Sequence, residues 1–352
     1  MIDSLEFKSF INKRSSTFKI ATGSADTEQN VIVKIKCGSE FGVGNANPTN
    51  VTHETLASIE DFLAKAKMKI EGTDEEDLLK LHQRLDAIAP GSTAAKAGID
   101  IAVFDLISKK QGQPLYEFLG GSRDRMLTDM TIGIESKETT VKKALQHYKA
   151  GFRALKIKVG LDLNEDIMRV VAVRDAVGPK VELRVDANQG YSVEQAIIFS
   201  EAMKSLDVVV IEQPVNASDL VGLKRVTEQS EVPIMADECV KSSADARKIA
   251  REGIADMINI KLMKSAGIND AIMINRLAEA TDIETMIGCM GEIQVSIAAG
   301  LHFALSSKNV IYADLDSHFN IIDDPSSGLT FEDGQLIAPK KPGLGIITPL
   351  DE

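Results

Sequence analysis

Leu183-Arg184-Val185-Asp186, Val209-Val210-Ile211-Glu212 and Ile234-Met235-Ala236-Asp237 are apolar runs that each end in an acid, and the acids lie 26 and then 25 residues apart. A step of that length holds one strand, one helix and two loops, so three successive parallel strands would deliver a carboxylate to the same rim. Outward from this core the same alternation continues. Eight runs read as strands, at 128–134, 154–159, 182–187, 208–213, 233–237, 257–261, 284–289 and 312–316. Between them lie amphipathic stretches such as 164–177, where Ile167, Val170, Val171 and Val177 recur at helical spacing beside Glu165, Arg169 and Arg174. Eight strands with seven clear helices between them predict an α/β fold, a closed barrel of the (β/α)8 kind or a close variant.

The first 120 residues read differently. Short antiparallel strands are expected at 5–10, 18–20, 31–36 and 40–43, then helices at 55–68, 75–87 and 92–110, the last opening on the small residues Thr93-Ala94-Ala95-Lys96-Ala97-Gly98. The chain thus divides into an α+β domain over 1–120, a barrel over 121–327 and a segment over 328–352 that returns to the first domain.

Composition sets outer bounds. A chain of 352 residues, 44% hydrophobic, has ample material for a buried core. Its 40 basic and 52 acidic residues, formally −12, argue against nucleic acid or an anionic membrane as the main partner. Cys37, Cys239 and Cys289 are scattered, odd in number and without metal-ligand spacing, which fits a reduced, cytoplasmic protein. No signal peptide or membrane span is expected from the sequence.

Side chains alternate along a strand. On 154–159 this sends Ala154, Lys156 and Lys158 into the barrel, and two buried ammonium groups need compensation that the three carboxylates can supply. Oxygen-only donors from Asp186, Glu212 and Asp237, with no His or Cys at matching strand ends, favour a hard ion such as Mg²⁺. Lys261 ends the sixth run. Strands two and six oppose each other in an eight-membered ring, so Lys158 and Lys261 should approach a metal-bound substrate from opposite faces. Lys264, in the following loop, is expected at the surface. On the last run Asp314 and Asp316 share an inward face away from the metal and would attract a cation, naturally a substrate ammonium.

Lys156-x-Lys158, Asp186-Ala187-Asn188, Ile211-Glu212-Gln213-Pro214, Ala236-Asp237-Glu238 and Asn259-Ile260-Lys261 together resemble the motifs of the enolase superfamily, specifically its muconate-lactonising subgroup. Asp314-Leu315-Asp316 looks like the corresponding element of its dipeptide epimerases, notably the L-Ala-D/L-Glu epimerases. The resemblance implies a capping domain over a TIM-like (β/α)7β barrel lacking the eighth helix, and usually a homo-oligomer. It implies that Asp186, Glu212 and Asp237 bind Mg²⁺, that Lys158 and Lys261 are the acid/base pair, and that Lys156 helps neutralise an enolate. Asp314 and Asp316 would hold the α-ammonium of a dipeptide, Thr131 matches a position near the substrate, and Asn188 and Glu292 would support the site from behind. The implied reaction is 1,1-proton transfer at the C-terminal residue of the dipeptide through an enediolate, a Lys base beside Mg²⁺ being a pairing known for this superfamily.

Two departures stand out. Where glutamate-specific members carry an arginine in the first cap loop, this chain reads Ile20-Ala21-Thr22-Gly23-Ser24; the nearby Lys13, Arg14 or Lys19 could substitute for it, although each reads by default as a solvated surface charge. Gly44-Asn45-Ala46 stands where relatives often have Gly-Glu-Ala. An o-succinylbenzoate synthase or N-acylamino acid racemase would share the lysines and metal without needing Asp314 and Asp316. A mandelate racemase-like dehydratase would need a His on the seventh strand, where Ile287-Gly288-Cys289-Met290 has none. A catalytically silent binding protein on the same scaffold is the reading from another class.

Overall fold

The computed structural model describes residues 1–351. It opens on a long hairpin, β1 (Ser4–Ile20) with β2 (Gly23–Cys37), completed by β3 (Glu40–Ala46) in an antiparallel sheet of order β1-β2-β3. The two short strands expected at 5–10 and 18–20 are one continuous strand. Its polar middle is held by partners distant in sequence, Asn12 and Lys13 by β2 and Arg14 by a bridge to Ile321, rather than by an alternating pattern of its own, so sequence pattern alone hides it. Four helices follow, α1 (Leu56–Ile70), α2 (Leu78–Asp86), α3 (Thr93–Lys110) and the short α4 (Leu115–Phe118). The small residues of α3 let it lie directly on β3. A Cβ added at Gly42 or Gly44 would come within 2.0 or 2.1 Å of the carbonyl oxygens of Ala102 and Gly98, so only glycine permits this approach.

After β4 (Arg125–Leu127) the barrel begins: β5 (Asp129–Ile132), α5 (Lys137–Lys149), β6 (Ala154–Lys158), α6 (Leu163–Val177), β7 (Glu182–Asp186), α7 (Val193–Lys204), β8 (Val208–Glu212) and α8 (Leu220–Gln229). It continues through β9 (Ile234–Ala236), α9 (Ser243–Glu252), β10 (Met257–Lys261), α10 (Ile268–Glu279), β11 (Glu284–Gly288), α11 (Gln294–Ser306) and β12 (Val310–Asp314). The eight strands β5 to β12 are parallel and in sequence order, and a bridge from Thr128 to Ala313 brings the last beside the first. Among the described residues, β12 is followed by a 3₁₀ turn at Ser317–Asn320 rather than an eighth helix, which gives the (β/α)7β arrangement. The barrel helices α5 to α9 start on side-chain caps: Asp162 accepts from the Asn164 and Glu165 amides at α6, and Ser192 with Gln195 forms a capping box at α7.

The closing strands β13 (Thr330–Glu332) and β14 (Gln335–Ile337) pair antiparallel with β4. The last segment then reaches α3, where the Leu344 amide donates to Asp105 Oδ1 at 2.7 Å. The N-terminal sheet is tied to the barrel rim through amide side chains. Asn30 and Asn47 both donate to the Gly291 carbonyl, at 3.1 and 3.2 Å, and Asn45, buried on β3, donates to Ser296 Oγ at 2.6 Å. Asn45 therefore serves as an interface hydrogen-bonding group, a role that does not call for a charge at that position. No helix among the described residues is long and apolar enough to cross a membrane.

Candidate active site

Parallel strands in a barrel leave their C-terminal ends at one rim, where the chain changes from buried β-ladder to loop. There β7 and β8 end on Asp186 and Glu212, and Asp237 directly follows β9; each is at most 1% exposed. Carboxylates so deeply buried need cations, and lysines from three directions provide them. Lys158 Nζ lies 2.5 Å from Asp186 Oδ2; Lys156 Nζ lies 2.6 Å from Glu212 Oε2, 3.2 Å from Asp186 Oδ2 and 2.7 Å from Asp314 Oδ2. From the far side Lys261 Nζ reaches Asp237 Oδ2 at 2.7 Å and Glu212 Oε1 at 3.8 Å. In the parallel order β5 to β12, the strands carrying Lys158 and Lys261 are the second and the sixth, with all three carboxylates between them.

Lys264 is not at the surface as its loop position suggested. It is 1% exposed and donates to the Asp237 carboxylate and main-chain carbonyl and, at 3.1 Å, to the Asn259 carbonyl. The Lys264 and Ser265 amides close the turn after β10 on the Lys261 carbonyl, so a residue beyond the strand end reaches back into the site. Asp237 thus has two ammonium partners. Burial acts to raise its carboxyl, but Lys261 and Lys264 outweigh that and hold it well below the usual range. Glu212 behaves oppositely: burial first, then the charge of Asp186, push it up to about 8. For Lys261 burial acts downward and Asp237 and Glu212 act upward, and the net effect is a strengthened ammonium.

Opposite these strands, Thr131 on β5 meets the two acids at the end of β12. Its amide donates to Asp316 Oδ2 at 2.6 Å and its hydroxyl to Asp314 Oδ1 at 3.3 Å. Asp314 is held low: burial opposes this, and the lysines, led by Lys156, prevail. Asp316 has no lysine at ion-pair distance among the described residues, and burial with the adjacent Asp314 charge lifts it to about 6.

Asn188, with φ 42°, turns back from the end of β7 so that its amide side chain donates to Asp186 Oδ2 at 3.3 Å and to Glu238 Oε1 at 3.2 Å. Gln213, next to Glu212, accepts from the Asp237 amide at 2.9 Å and so fixes the loop that carries Asp237. Glu292 is buried under the loop after β11, accepting from the Met290 amide at 2.8 Å, and burial lifts it to about 7. Glu238 is a site residue that strand parity misses. Directly after Asp237 it would point away, but β9 has ended at Ala236, and alternation no longer governs the loop. Its Oε2 has no hydrogen-bond partner among the described residues, and burial followed by the charges of Asp237 and Asp186 raises it to about 7.

Thr131, Lys158, Asp237, Lys261, Asp314 and Asp316 open onto one cavity of about 720 Å³, roofed by the β1–β2 turn and the loop over residues 48–53. Lys156, Asp186 and Glu212 lie beneath its floor. The oxygen-only set of Asp186, Glu212 and Asp237, with Glu238 Oε2 unpartnered beside it and the Glu212 and Glu238 carboxyls raised by burial and then by the neighbouring acids, fits a hard divalent cation.

The sequence matches two family models. Residues 6–120 match the mandelate racemase / muconate lactonizing enzyme N-terminal domain, and residues 139–349 match the enolase C-terminal domain-like family. Similar curated proteins include a hydrophobic dipeptide epimerase of Enterococcus faecalis, 40% identical over 95% of this chain and 96% of that one. An L-Ala-D/L-Glu epimerase of Clostridium acetobutylicum is 39% identical over 94% of each chain. Among solved structures, a substrate-liganded complex of the L-Ala-D/L-Glu epimerase from Bacillus subtilis superimposes with a TM-score of 0.96 at 37% identity, covering 99% of both chains. The Enterococcus faecalis dipeptide epimerase, complexed with Mg and L-Leu-L-Tyr, gives 0.95 at 38% identity over 98% of this chain and 99% of that one. Cap, barrel and strand-end acids therefore place this chain in the enolase superfamily, on its mandelate racemase / muconate lactonizing branch.

Proposed function

We propose that this chain is a Mg²⁺-dependent dipeptide epimerase that inverts the Cα of the C-terminal residue by 1,1-proton transfer. The observation that carries this reading is the placement of Lys158 and Lys261 on opposed strands facing one cavity, with three carboxylates between them and a cation site at Asp314 and Asp316 across from them. Asp186, Glu212 and Asp237 would hold the ion. Bound there, Mg²⁺ would offset the charge that grows on the substrate carboxylate as its α-proton leaves, and would relieve the two carboxylates that keep Lys261 protonated.

The chain's own residues do the rest. Asp314 and Asp316 anchor the substrate ammonium, which fixes the distance from that end to the reacting carbon. Lys158 and Lys261 then face opposite sides of Cα; one removes a proton and the other returns one, so configuration inverts. Lys156, buried between Glu212, Asp186 and Asp314, holds positive charge beneath the reacting carboxylate. Synthases and N-acylamino acid racemases of the same subgroup do not need an ammonium site, so the Asp314–Asp316 pair favours a dipeptide. For a C-terminal glutamate, as in L-Ala-D/L-Glu, Lys241 at the cavity rim on the β9 side would be the available cation; the roof at Ile20, Thr22, Gly23 and Ser24 is uncharged. The acidic net charge and free cysteines support a cytoplasmic enzyme without a nucleic-acid partner, and the family resemblance supports a homo-oligomer.

The test is deuterium incorporation at Cα in D₂O with Mg²⁺, comparing L-Ala-L-Glu with L-Ala-L-Leu. Lys158→Ala and Lys261→Ala should each abolish epimerisation while retaining exchange of at most one epimer. Epimerisation that survives either substitution refutes the two-base scheme.

A further inference from the structure

The β1–β2 ladder breaks at one place. Lys13 faces Thr27 and the next pair is Phe18 with Ala25, so residues 14–17 bulge out of β1. A bulge re-aims the side chains it carries. Arg14 instead bridges through its backbone to Ile321, and the Ile322 amide donates to the Lys13 carbonyl at 2.9 Å. The bulge is thereby fastened to the chain just beyond Asp314 and Asp316.

Its side chain is not a surface charge. The Arg14 side chain is 5% exposed, its guanidinium stacks 4.6 Å from the Phe18 ring, and Nη1 pairs with Glu28 Oε1 at 2.5 Å. Nε is buried with no hydrogen-bond partner among the described residues. Glu28 packs directly over Gly291, where a Cβ would lie 1.8 Å from Glu28 Oε2 and oblige that side chain to shift. Arg14 and Glu28 line the active-site cavity together with Thr131, Asp316, Ser317 and Asn320. That sector holds the ammonium site and lies across the barrel from Asp186, Glu212 and Asp237, so it faces the first residue of a bound dipeptide rather than the second.

We propose that Arg14 and Glu28 form a subsite for the side chain of the N-terminal residue, selective for uncharged hydrogen-bonding side chains, amides above all, over acidic and basic ones. This rests on the dipeptide epimerase reading. The physical reason is charge balance. The pair is neutral as a unit, so an acid or a base placed against it adds an uncompensated charge to a buried site. An amide carbonyl can accept from the unused guanidinium N–H while its NH₂ donates to Glu28, and neither charge is disturbed. An apolar side chain leaves the Nε–H unsatisfied. Burial raises the Glu28 carboxyl and Arg14 opposes the rise, consistent with a pair that is only just compensated.

The experiment measures kcat/KM for Cα deuterium exchange with L-Gln-L-Ala, L-Glu-L-Ala, L-Lys-L-Ala and L-Leu-L-Ala, each relative to L-Ala-L-Ala. In the wild type L-Gln-L-Ala should exceed the Glu and Lys dipeptides by at least about tenfold. Glu28→Gln leaves Arg14 uncompensated and should shift preference toward L-Glu-L-Ala; Arg14→Gln should shift it toward L-Lys-L-Ala. Opposite shifts are not what loss of a mere structural tie would produce. Unchanged profiles, or shifts in the same direction, overturn the subsite. Should a single variant fail to fold, R14M combined with E28L leaves no unpaired charge and must turn the preference toward L-Leu-L-Ala over L-Gln-L-Ala; failure to do so also overturns it. Activity on L-Ala-L-Ala with an unaltered profile defeats this inference alone, whereas absence of exchange with every dipeptide defeats the proposed function and the subsite with it.

Discussion

Asp316→Asn should make the ligand-free protein more stable while impairing its use of dipeptides. Asp316 is 5% exposed, and burial with the Asp314 charge raises its carboxyl from 3.8 to about 6. Because the folded-state value is the higher one, the folded protein binds the proton more tightly than the unfolded chain. Stability is therefore lost as pH rises from the unfolded value, and the loss is complete above about pH 6. A rise of that size corresponds to ~3 kcal/mol. Asparagine retains an acceptor for the Thr131 amide, 2.6 Å away, and carries no charge. At pH 7.5 the variant should melt about 4 °C above the wild type for a chain of this length. At pH 4.5, where folded Asp316 is already protonated, the advantage should shrink to ~1 kcal/mol. Differential scanning calorimetry at the two pH values, without metal or dipeptide, reads this directly. An equal or lower melting temperature at pH 7.5, or a difference independent of pH, refutes the assignment of Asp316 as an uncompensated charge.

The same group predicts a KM for dipeptides that climbs below about pH 6, since the protonated acid no longer attracts an ammonium, and steady-state kinetics from pH 5 to 8 would show it. Mg²⁺ binding at pH 7.5 should release protons, up to about one per ion, because Glu212 sits near 8 and must ionise to serve as a ligand; calorimetry in buffers of different ionisation enthalpy counts them. Lys264→Met leaves Asp237 one cation short and should destabilise the metal-free protein by roughly 3–5 kcal/mol, a loss partly recovered when MgCl₂ is added during thermal melts. Gly160→Ala places a Cβ 2.3 Å from the Ala187 carbonyl oxygen at φ +102°, so a loss of about 3 kcal/mol in denaturant titration is expected, with reduced exchange activity because Lys158 lies two residues away.

The barrel was legible because its signal is periodic: apolar runs recur at one βα interval and end on chemistry-bearing residues. The hairpin was less so. Asn12-Lys13-Arg14-Ser15-Ser16-Thr17 has no apolar alternation, and its strand geometry comes from partners distant in sequence, Thr27 on β2 and Ile321 beyond the barrel. Side chains on strands followed parity, as Lys156, Lys158 and Lys261 show. Those just past strand ends did not: Glu238 and Lys264 both turn inward where alternation has stopped applying. Arg14 was hidden for a further reason, since a bulge changes which way a residue faces without changing its neighbours in the sequence.

What unites these residues is an imbalance of charge. Around the cavity floor Asp186, Glu212, Asp237, Glu238, Asp314 and Asp316 face Lys156, Lys158, Lys261 and Lys264, six carboxylates against four ammonium groups. The shortfall is not spread evenly. Asp237 and Asp314 are fully compensated by lysines and are held low, while Glu212, Glu238 and Asp316 are pushed to about 8, 7 and 6. Glu212 belongs to the proposed metal-ligand set, Glu238 lies beside it, and Asp316 lies across the barrel. The first location calls for a divalent ion and the second for a single positive charge, the two cationic features that a metal-bound dipeptide brings. The destabilised acids are thus the binding energy for the proposed ligands held in reserve, which is why neutralising Asp316 by substitution should gain stability and lose substrate through the same change.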